Sequence, residues 1–138
     1  MSDQRHVTDP FDERYQRTIF LLDSSMPVHW RFFCVITACN PAGQLSSSGA
    51  NDESTKTLRR CLLTRELPFY HVVGSSSDMT HQEMGFGVQM GIKGAKEFAQ
   101  MFQQLAFYFI EDDQLFLVDS STLETKFIGS WSARVIVR

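Results

Sequence analysis

Three features of this 138-residue chain predict an α+β fold. Short apolar runs of strand length alternate with longer segments whose apolar residues recur at helical spacing, in the order strand, helix, strand, strand, helix, strand. Clusters of Gly, Pro, Ser and Asn separate them, as the turns of a small mixed fold require. An apolar content of 43% with 12 phenylalanines supplies a core, and a chain of this length buries roughly two-thirds of its unfolded surface.

Residues 1–9 are polar and aperiodic and are expected to be a loose tail, with residues 10–138 forming one globular domain. From Pro10 to Leu22, the residues Phe11, Tyr15, Ile19, Phe20 and Leu22 predict a short amphipathic helix, broken by Asp23-Ser24-Ser25-Met26-Pro27. The first strand runs from His29 to Ala38 and ends abruptly in the polar loop Cys39-Asn40-Pro41. Gly43 to Asn51 then opens a helix, capped by Ser48 or Asn51 and carrying Asp52 and Glu53 where the helix dipole favours carboxylates. Leu58, Cys61, Leu62 and Arg65 continue at helical spacing until Pro68 stops the element.

Phe69 to Val73 reads as a short strand, ended by Gly74-Ser75-Ser76-Ser77-Asp78. A third strand lies near Glu83 to Met90, where Phe86, Val88 and Met90 alternate with Gly85, Gly87 and Gln89. Ala95, Phe98, Ala99, Phe102 and Leu105 mark the second principal helix. Phe107 to Ile110 and Leu115 to Val118 flank Glu111-Asp112-Asp113-Gln114, a hairpin with a charged four-residue loop. Phe127-Ile128 and Val135-Ile136-Val137 are left for one more edge strand or a short hairpin.

After the lead helix the order is βαββαβ with strands appended. It predicts a ferredoxin-like split βαβ sheet with additional C-terminal strands and a short N-terminal helix. Five or six strands of antiparallel type would carry two principal helices on one face. The alternative is a three-layer sandwich in which the N-terminal helix covers the second face. Right-handed crossovers bring the Asn40 loop, the Ser75 loop, the Gln82-Glu83 strand start and the Gln103-Gln104 helix end to one edge. The Glu111–Asp113 tip falls at the opposite edge.

A net charge of −3, with Lys and Arg scattered, argues against a nucleic-acid binder, which needs a concentrated positive face. The longest apolar run is about ten residues and contains Arg31, too short and too polar to span a membrane. Met1 to His6 lacks a signal pattern. Three cysteines without a CxxC pair build neither a disulfide framework nor a zinc knuckle. A cytoplasmic protein without cofactor or metal is expected.

The candidate chemistry gathers at the shared edge. Glu83 is the candidate acid/base group, with His81 beside it as a second catalytic candidate, and Asn40, Asn51, Gln82 and Gln104 are amides able to read hydrogen-bonding edges. Each also has an adequate local role: Asn40-Pro41 as a turn former, Asn51 as a helix cap, Gln104 as a helix-end bond, His81 as a solvated loop residue. The Gly43 to Asn51 loop lacks the Lys of a phosphate loop, and Gly85-Phe86-Gly87 is too short for a dinucleotide fingerprint. His81-Gln82-Glu83 has the H-x-E form of zinc deaminases, but no P-C-x-x-C follows it. Cys39 has no third, orienting partner that would mark it as an activated thiol.

Ile36-Thr37-Ala38-Cys39-Asn40-Pro41, Asn51, Val73-Gly74, His81-Gln82-Glu83 with Gly85-Phe86, and Gln104-Leu105-Ala106 occur in an order that resembles an uncharacterised bacterial family, domain of unknown function 3293. The resemblance covers roughly Tyr15 to Asp119 and implies a small cytoplasmic protein with no activity attached. That family is expected to carry other, often aromatic, residues where Cys39 stands.

Two function classes follow. In the first, the polar sheet edge binds a small polar or nucleotide-like ligand, with a small polar metabolite as partner. In the second, the chain is a non-catalytic protein-interaction or regulatory domain with a protein partner. A concavity lined by Asn40, Gln82 and Glu83 favours the first, and a flat edge favours the second. A homo-oligomer would use the edge strand at residues 134–138 as its seam.

Overall fold

The computed structural model describes residues 7–23 and 30–138. Along them run α1 (Glu13–Gln16), β1 (Ile19–Leu22), β2 (Phe32–Thr37), α2 (Ser48–Thr64), β3 (Phe69–Ser75), β4 (Gln82–Val88), α3 (Ile92–Met101), β5 (Ala106–Glu111), β6 (Gln114–Asp119), β7 (Thr125–Ser130) and β8 (Val135–Val137). The fold is mixed α+β. Among the described residues eight strands form one sheet in the order β7-β6-β5-β2-β4-β3-β1-β8. Neighbouring strands run antiparallel, except that β8 lies parallel to β1.

That order forces the sheet to curl. β7 and β8 occupy opposite edges, yet Ser130 and Val135 are five residues apart in the chain. Five residues reach at most about 18 Å. Seven interstrand spacings laid flat would separate the edges by about 34 Å. Arg134 clasps the curl: its Nη1 donates to Thr18 O just before β1 at 3.0 Å, and its Nη2 donates to Ile128 O in β7.

The curled sheet has two different faces, set by the period of two along each strand. On the outer face Cys34, Ile36, Phe86, Val88, Phe107 and Val118 pack against Leu58 and Leu62 of α2 and Ala95, Phe98 and Ala99 of α3. On the inner face Phe20, Phe33, Val35, Val72, Ile110 and Leu115 converge with Trp131. Aromatic rings plug one end of this interior, with Phe33 edge-on to Trp131 at 5.1 Å and Trp30 tilted against Tyr70 at 5.4 Å. Gly87 makes room for that plug, because a Cβ there would stand 2.5 Å from Tyr70 Cζ.

Both principal helices end in Schellman motifs. Glu66 takes a left-handed conformation (φ 57) and Leu67 N–H reaches back to Leu62 O at 3.1 Å; Gln103 (φ 56) and Gln104 N–H to Ala99 O at 2.7 Å repeat the pattern. The second motif delivers Gln104 to the end of the sheet opposite the aromatic plug.

Several expectations are corrected. The helix predicted over Pro10 to Leu22 is a single turn, Glu13–Gln16, capped by Asp12, and Ile19–Leu22 is strand β1. Phe20, Leu21 and Leu22 are all buried (0%, 2% and 3% exposed). Three consecutive buried residues suit a strand covered on both faces, whereas a surface helix turns one of them to solvent. The second face is therefore closed by the sheet's own curl, not by an N-terminal helix. The sheet has eight strands where five or six were expected, because β1 joins it and the C-terminal segment splits into strands at opposite edges. The hairpin loop is a two-residue turn of type I′, with Asp112 and Asp113 at φ 49 and 67 and Glu111 paired with Gln114. Ser47, not Ser48 or Asn51, caps α2. The expected start of the first strand at His29, the break at residues 24–27 and most of the N-terminal tail lie outside the described residues.

Candidate functional site

β2, β3, β4 and β5 all present one end to the same mouth of the curled sheet: Thr37 and Asn40 follow β2, Ser75 and Ser76 end β3, His81 and Glu83 open β4, and Gln104 precedes β5. β2 and β3 run the same way with β4 returning between them, so their C-terminal ends and the N-terminal end of β4 coincide. Between them lies a cavity of about 120 Å³. Its floor is apolar, with Phe20, Val35, Val72 and Leu117, and its polar rim carries Glu83, His81 and Asn40.

Strand parity selects which residues of His81-Gln82-Glu83 face inward. Glu83 shares the parity of Gly85 and Gly87 on the inner face, while Gln82 and Met84 turn outward and are exposed. The two inward glycines leave β4 without side chains beneath Glu83. Glu83 Oε2 accepts from Asn40 Nδ2 at 3.0 Å and pairs with His81 Nε2 at 3.0 Å. Both members of the His81–Glu83 pair are about one-quarter exposed (27% and 23%), so solvent screens it only partly.

Asn40 is the hub of this network. It ends β2 in a left-handed conformation (φ 49, ψ 62), which asparagine tolerates better than most residues. Its Oδ1 accepts from Ser46 N and Asn51 Nδ2, both at 3.0 Å, and its own N–H donates to Asn51 Oδ1 at 2.9 Å. The Asn40 amide thus spends both ends on protein groups: it holds the loop together and orients Glu83. Gln104 Nε2 donates to Cys39 O at 2.9 Å and Phe102 O at 3.1 Å, tying the α3 exit to the β2 exit. Of the six candidates from the sequence, the structure brings Asn40, Asn51, His81, Glu83 and Gln104 together and leaves Gln82 on the outer surface.

The N-terminal segment supplies lining residues that sequence reasoning missed: Val7, Arg14, Tyr15 and Thr18. Tyr108, buried on the inner face, tethers this segment by donating to Tyr15 O at 2.6 Å, with Thr18 Oγ1 at 2.8 Å. Val7 N–H bonds Gly43 O at 2.9 Å. Gly43 is obligatory there, since its φ is +72° and a Cβ would stand 1.8 Å from Val7 O. Arg14 is gripped by Asp12 through two parallel bonds of 2.9 and 3.0 Å. Tyr15 sits on the apolar side of a predicted helix, so nothing in the local pattern marked it as polar lining.

Burial raises the Tyr15 phenol above its ordinary value, and the Glu83 charge raises it further. The Tyr15 hydroxyl is therefore a hydrogen-bond donor at neutral pH. Burial likewise raises the Cys39 thiol, outweighing the hydrogen bond from Thr37, so it rests as the protonated thiol and not as a nucleophilic thiolate. Among the described residues no group of three or more His, Cys, Asp or Glu side chains is placed to hold a metal ion. No helix among them is long and apolar enough to cross a membrane.

Residues 36–107, just over half of the chain, match the family described as "Protein of unknown function (DUF3293)", and the chain belongs to that family. No curated protein and no solved structure matches the chain. The matched residues contain Asn40, Asn51, His81, Glu83 and Gln104, whereas Arg14, Tyr15 and Thr18 lie before them.

Proposed function

We propose that this DUF3293 chain is a small cytoplasmic protein that binds a small polar ligand in the mouth of its curled sheet, with Glu83 as the group that contacts the ligand and exchanges a proton with it. The observation that carries this reading is the concavity itself. A concave, mostly apolar hollow with a few convergent polar groups is the usual form of a small-molecule site, and a docking surface is flatter. Its volume of about 120 Å³ is comparable with the roughly 150 Å³ cavity that accepts benzene.

Roles divide by what is already bonded. Glu83 Oε2 is held by Asn40 and His81, while among the described residues no hydrogen bond reaches Oε1. Oε1 is the oxygen that meets the ligand, and His81 and Asn40 together fix Oε2 and so aim the carboxyl group. Asn40, Asn51 and Gln104 act on the ligand through the shape of the rim. The order β5-β2-β4-β3, with α2 and α3 as the crossovers, supports a ferredoxin-like core onto which β1, β6, β7 and β8 are added. The reading treats residues 10–138 as one domain.

The test is a thermal-shift screen of metabolites, nucleobases and nucleotides against wild type and Glu83→Gln. A ligand present at about 100 times its Kd should raise the wild-type melting temperature by roughly 5–10 °C. Glu83→Gln keeps the shape of the side chain, and its partly exposed pair with His81 is worth about 1 kcal/mol. The variant should therefore melt within about 3 °C of wild type and lose most of the ligand-induced shift. A variant that melts far lower yet still binds every hit would make Glu83 structural and defeat this assignment.

A further inference from the structure

Tyr15 and Glu83 face the same cavity with opposite hydrogen-bonding character. Among the described residues neither the Tyr15 hydroxyl nor Glu83 Oε1 has a hydrogen-bond partner, and both residues line the hollow. Burial and the nearby Glu83 charge keep the phenol protonated, so it offers a donor. Glu83 Oε1, with its carboxylate, offers an acceptor. No described side-chain polar atom is both buried and unpartnered, so these two atoms open into the hollow floored by Phe20, Val35, Val72 and Leu117, where a ligand can take both bonds in place of water.

Charge narrows the choice. Arg14 is paired bidentately with Asp12, and Glu83 is paired with His81. Among the described residues each of these charged rim groups thus already has a hydrogen-bonding partner, which a strongly cationic or anionic ligand would have to displace. Among the described lining residues there is no lysine to hold a phosphate. Its volume of about 120 Å³ suits one six-membered ring, near the size of the benzene-accepting cavity of roughly 150 Å³.

We infer that the ligand is an uncharged six-membered nitrogen heterocycle with a cyclic-amide edge, its C=O accepting from the Tyr15 hydroxyl and its adjacent N–H donating to Glu83 Oε1, and that Tyr15 is the residue that selects it. The inference rests on the proposed function and names the ligand class for that site. Tyr15 lies outside the residues that match the family, so the acid/base network and the selecting group come from separate stretches of the chain.

The experiment uses four ring-sized probes on the full chain, with binding followed by NMR chemical-shift titration of cavity-lining resonances: 2-pyridone (a cyclic amide), toluene, benzoate and benzamidine. 2-Pyridone should bind tightest. Tyr15→Phe should weaken it by about fivefold to tenfold, the worth of one neutral hydrogen bond, and leave toluene unchanged. Glu83→Gln should weaken 2-pyridone by about tenfold or more, the worth of a bond to a charged acceptor. Tighter binding of benzoate or benzamidine, or equal 2-pyridone affinity in wild type and Tyr15→Phe, overturns the inference while the cavity stands as a ligand site. If no probe perturbs the lining resonances, both this inference and the proposed function fall.

Discussion

Replacing Asn40 tests the hub on which the arrangement of Glu83 depends. Asn40→Ala removes three side-chain bonds: those from Ser46 N and Asn51 Nδ2 to Oδ1, and that from Nδ2 to Glu83, each of 3.0 Å. At a partly buried site each is worth about 0.5–1 kcal/mol, or roughly 2 kcal/mol together. Ala also has to hold the left-handed conformation (φ 49) that Asn40 adopts, at a further cost of about 1 kcal/mol. Asn40→Gly loses the same three bonds without that backbone cost. Urea unfolding, extrapolated linearly to water, should therefore show a loss of about 3 kcal/mol for Ala and about 2 kcal/mol for Gly. The order of the two variants separates the backbone contribution from the hydrogen bonds. An Ala variant within about 0.5 kcal/mol of wild type, the range of ordinary surface changes, or a Gly variant less stable than Ala, would falsify the assignment of Asn40 as the hub.

Gly87→Ala places a Cβ 2.5 Å from Tyr70 Cζ and should cost about 1–3 kcal/mol in urea unfolding; combining it with Tyr70→Ala should bring the total well below the sum of the two single effects, and strict additivity would show that the ring does not rest on β4. Asp78 accepts from Ser76 Oγ at 2.7 Å and from Thr80 Oγ1 and N at 2.8 and 3.1 Å, and these bonds hold its carboxyl down to about 2 from an ordinary 3.8. A depressed carboxyl contributes stability that is fully present above its ordinary value and is lost as pH falls through the lowered one. NMR titration of the Asp78 carboxyl should thus give a midpoint near 2, and a midpoint near 4 would show that the Ser76-to-Thr80 turn does not form in solution.

The strands and helices that carry strong local signals were legible in the sequence. Ala95, Phe98 and Ala99 form the buried stripe of α3 as their spacing predicts, although the helix ends at Met101, so that Phe102 is its cap and Leu105 lies past the turn. Phe86 and Val88 alternate with glycines along β4 as the sequence predicts. β1 was misread because Phe11, Tyr15 and Ile19 happen to fall at helical spacing. Its strand character comes from β3 and β8 on either side, neither of which is near it in the chain. At the site, the loop after β2 and the start of β4 were visible as polar breaks in apolar runs. That Gln82 turns away while Glu83 turns in depends on register, which a shift of one residue would reverse. Tyr15 was illegible as a lining residue, because its polar use arises only where the N-terminal segment crosses the cavity and Tyr108 tethers it.

By itself the sequence determined the α+β class, the succession of elements from β2 to β6, and the polar loops that close one end of the sheet. These follow from side-chain periodicity and turn chemistry, which act over a few residues and are written into the chain directly. Tertiary structure alone decided the placement of β7 and β8 at opposite edges of one sheet and the curl that draws those edges together, the bonding of Asn40 and His81 onto Glu83, and the cavity between them. Those features depend on which distant strands pair and in what register. That choice is settled by burying both faces of the whole sheet at once, so no window of sequence contains it.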